Sequence, residues 1–85
     1  MNWKNRIVGH GTEDPSQLVS NPFNWRIHPT HQRHAVKDAL DQVGWIQEAV
    51  INRTTGNVVD GHLRIDLAVE QGETEIPVQY VELTE

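Results

Sequence analysis

A β-rich run that passes into a helical pattern with no spacer, Val58-Val59-Asp60-Gly61-His62-Leu63-Arg64, is the feature that most narrows what this chain can fold into. Upstream of it, Ala49-Val50-Ile51-Asn52 and Asn57-Val58-Val59-Asp60 are separated by Arg53-Thr54-Thr55-Gly56, a hairpin signal with a glycine available for positive φ. Downstream, Leu63 and Leu67 pair at i, i+4, Ile65, Ala68 and Val69 join them, and Gly72 supplies a stop. A hairpin that feeds a helix at once points to the α+β class.

The remaining segments extend this reading. Ala35, Val36, Ala39, Leu40 and Val43 form one apolar stripe at helical spacing, with Thr30 as the expected N-cap, Gly44 at C′ and Trp45 closing over Leu40. Asn5-Arg6-Ile7-Val8-Gly9-His10-Gly11 reads as a short strand, and Pro15-Ser16-Gln17-Leu18 as one helical turn. Residues 20–29, bracketed by Pro22 and Pro29, read as an extended loop whose Phe23 and Trp25 pack on the core. Ile76-Pro77-Val78-Gln79-Tyr80-Val81 is a strand with Ile76, Val78 and Tyr80 on one face, and Pro77 belongs among its first residues or at an edge. The expected order is β, turn, α, β, β, α, β. At 85 residues, 1–85 form one domain with a single small core.

Composition then excludes several classes. With no cysteine, disulfides, thiol nucleophiles and Cys-ligated metals are out. No apolar run approaches the ~20 residues of a membrane span, and the N-terminus lacks the apolar core of a secretory signal, so a cytoplasmic protein without a membrane partner is expected. The net charge is −5 and unevenly spread: residues 1–45 carry five basic and four acidic side chains, residues 46–85 two and eight. That balance argues against an autonomous duplex-binding module, which relies on phosphate neutralisation.

The junction is also where chemistry is best placed. A strand turning directly into a helix aims free backbone N–H groups and the positive end of the helix dipole at one point, a ready anion site. Gly61 lets a phosphate approach the backbone, His62 and Arg64 add side-chain donors, and Asp60 caps the helix or helps to hold a metal that bridges phosphates. The structural alternative makes Asp60 only an N-cap, Gly61 a turn and Arg64 a solvated helix residue. A second candidate is the loop from Asn21 to Pro29, whose amides and Arg26 would line a pocket facing that helix end; in the alternative it is a rigid connector in which Asn21 and Asn24 satisfy turn backbone. His28, His31 and His34 fall three apart, but no Cys or nearby carboxylate completes four ligands, so no metal site is assigned to them.

In this order, Leu18-Val19-Ser20-Asn21-Pro22, Asn24-Trp25-Arg26-Ile27-His28-Pro29, Gln32 through Trp45, Val59-Asp60-Gly61-His62-Leu63-Arg64 and Ile76-Pro77-Val78 resemble the ParB/sulfiredoxin superfamily. The likeness is strongest to the ParB-like nuclease domains of phage and bacterial DNA-metabolism proteins and covers about residues 5–83. It implies a small ParB/sulfiredoxin-like α+β fold, with a short mixed sheet and two main helices, that binds nucleotide phosphates at the N-terminus of the helix after the glycine motif. Partition ParB proteins carry Gly-Glu-Arg-Arg in a CTP-binding, DNA-clamping switch; here Gly61 and Arg64 match it, while His62 replaces the Glu and Leu63 the first Arg. Sulfiredoxins carry Gly-Cys-His-Arg, and His62 stands where their catalytic Cys would be, which excludes their repair chemistry. The Asp-Gly-His-x-Arg form is similar to that of free-serine kinases in the superfamily; 85 residues are short for the additional substrate-binding parts of those enzymes, which leaves phosphotransfer as a minor expectation.

The resulting expectation is a nucleotide- or phosphate-binding domain in DNA metabolism, serving partition, modification or phage DNA function. Its ligand is a nucleoside triphosphate of unspecified base, with Mg²⁺, held by Gly61, His62, Leu63, Arg64, Arg26 and Asn24. Its partners are DNA, reached only indirectly or through attached domains, and a second copy of the chain as a homodimer. The alternative is a metal-dependent nuclease, NTPase or phosphotransferase with Asp60 as metal ligand and His62 as acid/base. Phosphodiester cleavage generally asks for more than one carboxylate at the metal, and Asp60 is the only acidic residue in either motif. That favours binding over catalysis.

Overall fold

A computed structural model describes residues 3–24 and 29–83. Strand β1 (Ile7–Glu13) leads into a short helix α1 (Pro15–Val19), a 3₁₀ turn over Pro22–Asn24, helix α2 (Thr30–Val43), strands β2 (Ala49–Asn52) and β3 (Asn57–Asp60), helix α3 (His62–Glu70) and strand β4 (Ile76–Val81). The four strands form one mixed sheet in the order β1-β4-β2-β3. β4 lies antiparallel to β1 and parallel to β2, and β2 and β3 form the antiparallel hairpin. The parallel β2–β4 pair needs a crossover, and α3 provides it, as the connection between such strands generally does.

The core lies between the sheet and helices α1 and α3. Leu18, Ala49, Ile51, Val58, Ile65, Ala68, Ile76 and Val78 are buried together, with Val19, Trp45 and Tyr80 packed against them. Each large aliphatic side chain so buried contributes about 1.5–3 kcal/mol. Helix α1 starts where Pro15 occupies its first turn and Asp14 accepts the Ser16 N–H at 2.9 Å.

One sequence expectation holds at Pro77, and three others change. Pro77 is the second residue of its strand, as expected; although β4 is interior, flanked by β1 and β2, Pro77 sits at the sheet end opposite Thr12, where a missing donor costs least. Helix α2 contains no fully buried residue: Val36 and Leu40 are half-buried, and the other edge of its stripe, Ala35, Ala39 and Val43, faces outward. Among the described residues it packs mainly against α3, where Arg33 is ion-paired with Glu70. Thr30 is the first helical residue and Pro29 the cap, without a side-chain hydrogen bond. Phe23 is 75% exposed rather than part of the core; Trp25 lies outside the described residues.

Candidate functional site

β3 ends at Asp60 and α3 begins at His62, leaving one residue to make the turn. That residue, Gly61, has φ +96° and ψ 16°, a left-handed conformation that costs an L-residue about 1–2 kcal/mol. It also sits against β2: a Cβ there would lie 3.0 Å from the Ala49 Cα and 3.1 Å from its Cβ. Backbone conformation and close approach therefore both demand glycine. The sharp turn lets α3 begin immediately beneath the sheet, with Leu63, Ile65, Leu67 and Ala68 buried.

The same turn determines how the helix end is dressed. Gly61, not Asp60, is the N-cap, and no side chain caps α3. Asp60 instead accepts the Gly61 N–H at 2.9 Å through Oδ1. The first amide bonded within the helix is that of Ile65, to the Gly61 carbonyl at 3.0 Å. The N–H groups of Leu63 and Arg64 therefore have no intrahelical acceptor and mark the positive end of the helix dipole.

A cleft of about 290 Å³ opens at this end, lined by Asp60, Gly61, His62, Leu63 and Arg64 from the junction and by Gln32 and Val36 from α2. His62 and Arg64 are half-buried, Asp60 is exposed, and Leu63 is buried at 7% exposure. Arg64 also borders the adjoining apolar hollow beneath Ala35, Ala39 and Ile46. Among the described residues no carboxylate is paired with Arg64, whereas Arg33 on the facing helix is occupied by Glu70. Five of the residues singled out in the sequence thus share one cleft, and Gln32 and Val36 are additions. Only the i, i+4 relation of those two on α2 could have flagged them as a shared face.

The other two candidates fare differently. Asn24 is 5% exposed, and both ends of its amide are in use: Nδ2 donates to the Leu18 carbonyl at 2.9 Å and Oδ1 accepts the Val58 N–H at 2.7 Å. It ties the loop to β3, as the rigid-connector reading holds. Asn21 supports the same turn, accepting the Phe23 N–H and donating to Asn57 Oδ1. Arg26 and His28 lie outside the described residues. Among the described residues no group of three His, Cys, Asp or Glu is placed to hold a metal, and no helix is long and apolar enough to cross a membrane.

Sheet order, crossover and junction together define a small α+β fold around a four-stranded mixed sheet. Among solved structures the chain is similar to a Pnob8-like ParB-N domain, with a TM-score of 0.70 at 14% identity. The match covers 95% of this chain and 33% of that one, so the chain spans about a third of its structural neighbour's length. No family model matches the sequence, and no curated protein matches it.

Proposed function

We propose that this chain is a nucleotide- or phosphate-binding module of ParB-like type, associated with DNA metabolism. The observation that carries the reading is the cleft at the uncapped start of α3, where first-turn amides, Arg64 and His62 line one opening. Backbone N–H groups at a helix N-terminus and a guanidinium that pairs with no carboxylate among the described residues suit a phosphate, the guanidinium by charge-assisted, bidentate hydrogen bonds. The structural neighbour is a ParB-N domain, which supports the same assignment by likeness of fold.

Among the described residues Asp60 is the only carboxylate lining the cleft. With Oδ1 engaged by Gly61, its other oxygen suits a Mg²⁺ shared with phosphate oxygens of a nucleoside triphosphate. One carboxylate is a poor fit to metal-assisted phosphodiester cleavage, so the module binds rather than cuts. Its acidic second half gives DNA little to hold, and contact with DNA runs through attached or partner domains.

Thermal unfolding with ATP, CTP or GTP and Mg²⁺ tests the reading. A ligand at 100 times its Kd stabilises the native state by about 2.7 kcal/mol, roughly 10–20 °C in Tm for a domain of this size. Arg64→Ala should weaken binding by about 1.5–3 kcal/mol while changing stability by less than about 0.5 kcal/mol. No Tm shift with any of the three, or an Arg64→Ala protein that binds as tightly as the parent, would reject the assignment.

A further inference from the structure

The opposite end of α3 carries a second cavity, larger than the first at about 330 Å³ and close to the smallest size that holds an organic ligand. Leu40 of α2, Leu67 and Ala68 of α3 and Trp45 give it an apolar and aromatic lining. Both helices end against it. Gly44, the C-cap of α2, and Gln71, the C-cap of α3, line the same space, and neither helix has a basic residue in its last turn. Both helix dipoles thus point their negative ends at this space, although at the end of α3 the Leu67, Ala68 and Val69 carbonyls already accept from the Gln71, Glu73 and Gly72 amides. The rim adds the carboxylates of Asp41 and Glu73 against one ammonium, Lys37, which is already held by Asp41 at 2.7 Å.

We propose that this cavity receives the side chain of an arginine on a partner polypeptide. The apolar lining suits its methylene stem, Trp45 is the aromatic type that attracts a cation best, and the helix ends with Glu73 supply the negative field. Guanidinium fits better than ammonium because it is planar, weakly hydrated and stacks on aromatic rings.

The test is a ¹H–¹⁵N NMR titration with the blocked peptide acetyl-Gly-Arg-Gly-amide, beside the same peptide carrying citrulline, its neutral near-isostere. The arginine peptide should produce saturable shifts in the Trp45 indole N–H and the backbone amides of Gly44, Gln71 and Glu73; the citrulline peptide should bind at least fivefold more weakly. Glu73→Gln, at an exposed position, should weaken the arginine peptide about threefold. Trp45→Leu should weaken it about tenfold, read alongside the Glu73 variant because Trp45 also packs on the core. Equal binding of the two peptides, shifts confined to the Asp60–Arg64 cleft, or no saturable shift would overturn the proposal.

Discussion

Replacing Gly61 by alanine separates the two demands on that position. The first cost is conformational: at φ +96° an L-residue pays about 1–2 kcal/mol. The second is packing, because the new Cβ would stand 3.0 Å from the Ala49 Cα, backbone of a fully buried residue that has no flexible end to move aside. Overpacking of that kind costs about 1–3 kcal/mol. Together Gly61→Ala should lose about 2–5 kcal/mol, from a total expected near 4–13 kcal/mol for 85 residues. Gly72→Ala is the internal control, since Gly72 has a comparable φ of +75° but a methyl group added there would meet nothing within 4 Å. It should lose only the conformational part, about 1–2 kcal/mol. Urea unfolding of both variants gives the difference directly, about 1–3 kcal/mol in excess for Gly61. Equal losses would refute the close approach to Ala49, and a Gly61→Ala loss below about 0.5 kcal/mol would refute the strained junction altogether.

Two further substitutions bear on the scaffold that holds the site. Asn24→Ala strips the Leu18 carbonyl and the Val58 N–H of their partner and should cost about 2–4 kcal/mol, measured by urea unfolding. Tyr80 has its pKa raised above 10.0, first because its hydroxyl donates to Glu13 and then through desolvation. The folded chain therefore keeps that proton to higher pH than the unfolded chain. The associated stability is complete below about pH 10 and is lost as pH rises through the folded pKa. Glu13→Gln should bring the phenol's alkaline spectrophotometric titration back toward 10.0, and an unchanged titration would remove Glu13 as the cause.

Legibility from sequence followed the range of the forces involved. The hairpin, the start of α3 and the end of β4 are local features, written in Gly56, Gly61 and alternating apolar residues, and the structure has them at those residues. The gathering of Asp60 to Arg64 at one cleft followed from the same junction. Strand order was not readable, because the placement of β4 between β1 and β2 depends on pairings across the whole chain rather than on the pattern within Ile76–Val81. The stripe on α2 carried a true helical period but no information on how much of it a neighbour would cover. Asn24 lacked any periodic signal: a single amide after a proline-led turn acquires its role only when Leu18 and Val58, distant in sequence, come within reach. Phe23 shows the converse, an aromatic whose type predicts burial while its turn, held by Asn21, points it outward.

The most direct test of the anion site is residue-resolved: backbone amide NMR shifts during titration with a nucleoside triphosphate and Mg²⁺, in the parent chain and in Arg64→Ala. An anion site at the start of α3 gives saturable shifts concentrated at Gly61, His62, Leu63 and Arg64, with Gln32 and Val36 following, and a marked loss of affinity in the variant. Shifts that saturate elsewhere while the amides of residues 61–64 stay still would contradict it, as would an unaltered titration in Arg64→Ala.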